Sequence, residues 1–334
     1  MPVQEIVLAD SQGRITPSGN PPVFNPQQRP KVSLLCLTSV PSRYPFTSFG
    51  AAFAAHCAFR EKALSNPDVR EIRTREDLLN GDGTIGILFG IQNAPEDLTD
   101  ESLQALYTEG VRSMSIGVPK YGGGFEHANE PLTEAGKALL RQMAAHRFIL
   151  NLSGMGHRTM LDALTLIRSE NLNLRPMASH SGCSKIFEHE RNLPDGILKG
   201  IADLHGYVGI PLSTALLGRQ PCLDKKQLDD YYFEKFESHI AHASCVMGGK
   251  RVGIGSDCIH QDMPLETAEK LFKRVTSEKG LQGGLRRIFP NSPPEIIESG
   301  SRMFEVLTKK LTLHSEVLGE NLFEFLKSAL RRPT

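Results

Sequence analysis

Arg175-Pro176-Met177-Ala178-Ser179-His180-Ser181-Gly182 is the stretch whose reading decides the fold class. It is a short apolar segment that ends in a lone histidine between two serines. A polar loop follows, and Asn192-Leu193-Pro194-Asp195 then opens a helix expected over 197–204. Pro194 sits near the first turn, where the missing N–H costs nothing. A strand that stops at a polar residue and leads into a helix suits an α/β protein, in which the carboxyl ends of strands converge on one site. A lone histidine in a loop is more often a satisfied structural group than a functional one. The weight of the reading therefore falls on whether other strands end in the same way.

They do. Apolar strands are expected over 3–9, 32–37, 84–91, 111–116, 148–152, 176–179, 207–210 and 251–255. Helices are expected over 46–64, 99–109, 133–146, 157–168, 197–204 and 228–247. Thr74-Arg75-Glu76-Asp77 has the character of a capping box, and Gly110 is a suitable helix stop. Residues 16–30 hold five prolines and read as a loop, and the chain from Leu265 onward reads as helical. Alternation of short strands with helices argues for a parallel sheet covered by helices. Eight such units favour a closed (β/α)8 barrel of the TIM type over an open sheet. No linker divides the chain, so a single barrel domain over 1–334 is expected, with the barrel over about 3–260 and a C-terminal helical extension over about 265–330.

The 334 residues are 40% apolar and 23% charged, an ordinary balance with ample material for a core. Formal net charge is zero, which argues against nucleic acid or an anionic membrane as a general partner. No stretch approaches the roughly 20 apolar residues of a membrane span. Met1-Pro2-Val3-Gln4-Glu5 has no basic region, and the apolar run over 6–9 is too short for a signal peptide. The six cysteines form no CxxC pair and read as reduced thiols. The expectation is a cytoplasmic protein.

In a barrel, the residues that follow each strand face one another at the catalytic mouth. Here they are Asp10 and Gln12, Gln92, Val118, Gly154, His180 and Asp257. A catalytic zinc takes three protein ligands and keeps one position open; Asp10, His180 and Asp257 could supply three, with His157 and His260 nearby. His239 and His242 have helical i, i+3 spacing, but their helix feeds the last strand and its C-terminal half points to the bottom of the barrel, so they read as structural. There is no GxSxG elbow and no Walker loop, and Gly253-x-Gly255 lacks the third glycine of a dinucleotide loop. Cys183 and Cys258 flank the site without a convincing Cys-His-acid order. The basic run Lys270, Lys273, Arg274, Lys279, Arg286 and Arg287 reads as a solvated helical face.

These residues make the chain resemble the renal (membrane) dipeptidase family, metal-dependent hydrolases built on the amidohydrolase-type barrel. The resemblance is carried by Ala178-Ser179-His180-Ser181, Arg191-Asn192-Leu193-Pro194-Asp195, His239-Ile240-Ala241-His242 and Val252-Gly253-Ile254-Gly255-Ser256-Asp257. Leu132-Thr133, Asn151-Leu152-Ser153 and Arg302-Met303-Phe304 also fit. The family activity it implies is zinc-dependent hydrolysis of dipeptides. The resemblance further implies a two-zinc site made from an HxD pair after strand one, a bridging glutamate after strand three and histidines after strands five and six. Here those positions read Asp10 and Gln12, Gln92, Gly154 and His180, so only His180 is retained. The substrate-contacting histidine after strand four falls in Gly117-Val118 and is missing too.

Two cations held close together need anionic ligands, and an amide is a poor bridge. The two-zinc site is therefore not expected, and the cofactor expectation is none, or a single zinc at reduced occupancy. Arg191 matches the arginine that holds the dipeptide carboxylate, a task suited to bidentate guanidinium bonding. Asp257 matches the catalytic aspartate that contacts the substrate amine and handles a proton. Structural alternatives are an acid partner for Arg191 and a loop cap for Asp257. The leading functional expectation is a divergent member, inactive or impaired as a dipeptidase, that retains a small carboxylate or dipeptide-like ligand. The alternatives are a one-metal hydrolase using Asp10, His180 and Asp257, and a non-catalytic scaffold, homodimeric as family relatives are.

Overall fold

The computed structural model describes residues 8–15, 32–39, 48–80, 84–218, 225–256, 258–259 and 319–330. The expected proline-rich loop and most of the expected C-terminal helices lie outside these residues. The elements in chain order are β1 Leu8–Ile15, β2 Val32–Ser39, α1 Phe49–Leu64, β3 Val69–Glu71, α2 Arg75–Leu79, β4 Ile85–Ile91, α3 Asp100–Thr108, β5 Val111–Met114 and α4 Glu134–Ala145. They continue with β6 Ile149–Asn151, α5 His157–Ser169, β7 Arg175–Ala178, α6 Asp195–Asp203, β8 Tyr207–Ile210, α7 Thr214–Leu217, α8 Lys225–Met247, β9 Val252–Ile254, β10 Cys258–Ile259 and α9 Asn321–Ala329.

Every strand pairing is parallel, in the order β10-β1-β2-β4-β5-β6-β7-β8-β9, with β3 added beside β4. β9 pairs with β8 and β10 with β1. Residues 255–257 alone separate β9 from β10, so one chain segment joins both edges and closes the ring. The expected barrel is thus the observed one, with β9 and β10 sharing the place of the last strand and β3 as an unforeseen addition.

The first strand needs a correction. Asp10-Ser11-Gln12-Gly13 reads as a turn, which ends the expected strand at Ala9. In the structure β1 runs on to Ile15 because it has a neighbour on either side, β2 and β10. Asp10 pairs with Leu35 and Gly13 with Leu37, so the segment between them carries one residue more than its partner. That is a β-bulge, a device that lets a strand continue through an irregular stretch. Asp10 and Gln12 therefore lie within the strand; the side chains of β1 are outside the described set.

Local chemistry sets the helix ends. Thr74 and Asp77 form the expected capping box, and the Thr99 and Thr133 side chains cap α3 and α4. Alternation along the strands splits the core in two. Leu35, Leu37, Ile87, Phe89, Ile91, Leu150, Ala178, Val208 and Ile210 belong to the cluster that faces the helices. Leu34, Cys36, Leu88, Ile149, Met177 and Tyr207 point inward and form a second cluster with Leu322, Phe325 and Leu326 of α9. The Phe325 ring lies 5.6 Å from that of Tyr207, the first residue of β8. Asn321 donates to the carbonyl of Val252, the first residue of β9, at 2.8 Å. α9 therefore plugs the amino-terminal end of the ring and leaves the carboxyl ends as the open mouth.

If α9 is this plug, Phe325→Ala should lower stability by about 3–5 kcal/mol, the cost of a large-to-small change in a core. Urea denaturation would measure it. A loss below about 1 kcal/mol would show that α9 does not hold the barrel shut.

Candidate active site

At the carboxyl end of β4 the chain turns sharply. Asn93 adopts a positive φ of 60°, which an asparagine tolerates better than most residues. Its N–H donates to Ser115 Oγ at 2.8 Å, and Ala94 donates to the Ser115 carbonyl at 2.7 Å. The turn leaves Gln92 buried at 6% exposure. Its Oε1 has no hydrogen-bond partner among the described residues.

Gly154 follows β6 with φ +88°, a backbone conformation that favours glycine. Among the described residues, a Cβ placed there would meet the Gln92 Nε2 at 3.5 Å, an ordinary contact distance. Gly117, beyond β5, is a glycine for a different reason: a Cβ on it would strike the Gly154 carbonyl oxygen at 2.7 Å. The two loops thus meet backbone to backbone. The residue after Gly117, Val118, is buried in the core.

His180 is fully buried beyond the end of β7. Its backbone N–H donates to Ser153 Oγ at 3.0 Å, and its Nδ1 is hydrogen-bonded to Ser179 Oγ at 2.8 Å. Ser153 and Ser181 join through their hydroxyls at 2.8 Å. Asn151 Oδ1 accepts from the N–H groups of Ser153 and Ser179. The mouth described here is lined by hydroxyls, amides and one imidazole.

Arg191 reaches the same region from the loop between β7 and α6. Its guanidinium lies 5.4 Å from the centre of the Phe125 ring, and Phe125 N–H donates to the Gly154 carbonyl at 3.0 Å. The loop is pinned on several sides. Asn192 accepts from Gly182 N–H and donates to the Phe187 and Leu216 carbonyls. His157 Nε2 donates to the Asn192 carbonyl at 2.8 Å, so this histidine positions the loop. His189 Nδ1 accepts from Arg191 N–H, and burial, assisted by the Arg191 charge, pushes its pKa down to about 4.

His239 and His242 are structural, as expected, but they sit nearer the mouth than the direction of their helix suggested. His239 Nδ1 accepts from Cys183 N–H at 2.8 Å while Nε2 donates to the Leu217 carbonyl at 3.1 Å, which fixes a neutral ring. Burial pushes its pKa down to about 4. His242 Nε2 is 2.7 Å from Asp195 Oδ1, at the start of α6. Burial also pushes the Cys183 thiol up to about 12, so this cysteine is no nucleophile at neutral pH.

Of the residues singled out by sequence, the structure brings Gln92, Gly154, His180 and Arg191 to one end of the barrel. Asp257 and His260 lie outside the described residues, as do the side chains of Asp10, Gln12 and Cys258. Phe125 escaped the sequence reading, and Ser153 and Ser181 were read only as parts of the segments that carry the resemblance; the Gly122-Gly123-Gly124 run before Phe125 was the available sign of a tight loop there. Gln92 carries a neutral amide and Gly154 no side chain, so neither of these two positions supplies an anionic ligand. Among the described residues no three His, Cys, Asp or Glu side chains converge on a common point, and no helix is long and apolar enough to cross a membrane.

Residues 48–278 match the model of the membrane dipeptidase family, peptidase family M19. The chain is 26% identical over 206 residues to an uncharacterised dipeptidase of Schizosaccharomyces pombe, covering 58% of this chain and 46% of that protein. It thus spans about half the length of this curated relative. Its fold is similar to an amidohydrolase from Pseudomonas aeruginosa, with TM-score 0.74, 21% identity and coverage of 97% and 96%. It is also similar to a metallopeptidase from Rhodobacter sphaeroides described with a phosphinate mimic of the dipeptide L-Ala-D-Ala, with TM-score 0.68, 17% identity and coverage of 97% and 99%.

The buried neutral histidines predict how stability varies with pH. Between about pH 6.5 and 4 the unfolded chain binds a proton at His239 that the folded chain does not, so stability falls as pH falls. His189 acts in the same direction. Each such group contributes a slope of up to about 1.4 kcal/mol per pH unit. His239→Asn should lower stability at pH 7.5 yet give a shallower decline between pH 6.5 and 4, read from urea midpoints. Identical slopes would refute the assignment.

Proposed function

The chain belongs to the membrane dipeptidase family, and on that premise we propose that it is a divergent member whose mouth binds a small carboxylate and does not assemble the family's two-zinc centre. The observation that carries this reading is the position of Arg191. Its side chain is buried at 6% exposure, over Phe125, and Phe125 is hydrogen-bonded to Gly154. A guanidinium held in a desolvated place is suited to bidentate capture of a carboxylate. The loop that carries it is fixed by Asn192, whose side chain makes three hydrogen bonds. Pre-organisation of this kind removes ordering cost from binding. The dipeptide mimic described for the Rhodobacter sphaeroides metallopeptidase makes dipeptides and their analogues the first ligands to test.

The chemistry of the mouth supports binding rather than metal-assisted hydrolysis. Gln92 and Gly154 stand where the family resemblance places a carboxylate and an imidazole. The groups described around His180 are hydroxyls and amides, which orient a ligand without supplying negative charge to a pair of cations. Protein purified without added chelator should carry well below one zinc per chain by elemental analysis and should not hydrolyse simple dipeptides. Two tightly bound zincs, or turnover at rates ordinary for enzymes, would sink the proposal.

Ligand binding is tested separately by thermal shift with dipeptides, acyl amino acids and small acids. A ligand at about 100 times its dissociation constant should stabilise the fold by roughly 2.7 kcal/mol. Arg191→Lys should weaken that binder about tenfold, because an ammonium cannot reproduce the planar fork. An equal shift in both proteins would make Arg191 structural.

A further inference from the structure

We propose that His189 is the positioning residue of the mouth: its ring holds the Arg191 backbone as an uncharged acceptor, which fixes the loop without setting a negative charge beside the guanidinium. This role rests on the carboxylate reading of Arg191.

Residues 189–192 form a tight turn that closes on His189 at two points. The His189 carbonyl accepts from Asn192 N–H at 2.9 Å, and its ring Nδ1 accepts from Arg191 N–H at 3.1 Å. The first position of such a turn favours Asp, Asn or Ser, whose side chain accepts from the N–H two residues on. His189 performs the same task with a ring. That ring lies 6.1 Å from the Phe187 ring, with the planes 34° apart. The Asn192 side chain pins the shoulders of the loop, at Gly182, Phe187 and Leu216. His189 acts on the backbone of Arg191 itself.

The charge of the acceptor matters because of what stands beside it. A backbone N–H can only donate, so Nδ1 is unprotonated and the neutral ring carries its proton on Nε2. Burial, assisted by the Arg191 charge, pushes the ring's pKa down to about 4, so His189 is neutral at pH 7. Since the Arg191 charge is felt at this ring, a negative charge at 189 would be felt at the guanidinium. The charge of the adjacent Glu190 is felt at His157. An aspartate at 189 would close the turn equally well, but it would attract the guanidinium and compete with a ligand carboxylate for it. The imidazole closes the turn and adds no such competitor.

Three variants of the full chain separate charge from turn closure. His189→Asn keeps a neutral acceptor, His189→Asp has the same shape with a negative charge, and His189→Ala has no acceptor. Isothermal titration calorimetry at pH 7 with phenylacetate, N-acetyl-alanine and N-acetyl-leucine reads binding, and hydrogen–deuterium exchange reads the Arg191 amide. His189→Asn should bind nearly as well as the wild type and keep the amide protected. His189→Asp should keep the amide protected yet bind about tenfold or more weakly, the scale of one hydrogen bond to a charged group. His189→Ala should exchange faster at Arg191 and also bind about tenfold more weakly. A histidine that only closes the turn would give His189→Asn and His189→Asp equal affinity. That result, or undiminished binding by His189→Ala, overturns the role of His189 while the carboxylate reading stands. If no probe binds the wild type, the carboxylate reading falls and this role with it. If the variants do not fold, the wild type decides: a protected Arg191 amide upholds the role, and exchange as fast as in an exposed loop overturns it.

Discussion

A ring of parallel strands whose two edges are joined has an interior that only inward side chains and a plug can fill. Here the join is the segment carrying β9 and β10, which pairs with β8 on one side and β1 on the other. Once the ring is closed, each strand must send alternate residues into a narrow lumen. At the amino-terminal end those residues are large and apolar, and Phe325 and Leu326 of α9 complete the packing. Burying this apolar surface is worth on the order of 25 cal/mol per Å², which ties the C-terminal helix to the barrel. Toward the carboxyl ends the same inward rows hold Asn151 and Ser179. Polarity is therefore concentrated at one end, and that end is the mouth.

The mouth is built from two kinds of polar group. Asn192 and His239, which pin the loop between β7 and α6, are satisfied. Asn192 uses its acceptor and both donors, and His239 bonds through both ring nitrogens. Removing either leaves buried backbone groups unpaired, at about 1–3 kcal/mol each. The loop is consequently rigid, and Arg191 inherits its position from it. Gln92 and Gly154 belong to the other kind. The Gln92 Oε1 has no hydrogen-bond partner among the described residues, and Gly154, beside it, contributes only backbone groups.

The sequence revealed the fold well because each part of it is local. Strand 207–210 is readable from one apolar run, α3 from Thr99 and Gly110 at its ends, and the capping box from Thr74 and Asp77. β3 was not readable, since Val69–Glu71 is only three residues long and its pairing with β4 is a tertiary fact. The end of β1 was misplaced because a bulge resembles a turn until its neighbours are known. For the site, the residue types at 92, 154, 180 and 191 could be read. Their mutual arrangement could not. The contact of His239 with Cys183 spans 56 positions, and nothing local signals it.

Gly154 shows why the strand-end positions are coupled. A histidine there would have to adopt a φ near +88°, in the left-handed region where side chains other than glycine pay about 1–2 kcal/mol. Its Cβ would sit 3.5 Å from the Gln92 Nε2, so the two side chains would be neighbours. With a cation between them, a glutamate at 92 and a histidine at 154 would attract a common partner and offset that strain. A glutamine at 92 lacks that charge, so the attraction that would offset the strain of a side chain at 154 is weaker. Glutamine at 92 and glycine at 154 are therefore mutually consistent: neither brings charge, and the glycine takes the positive φ without strain.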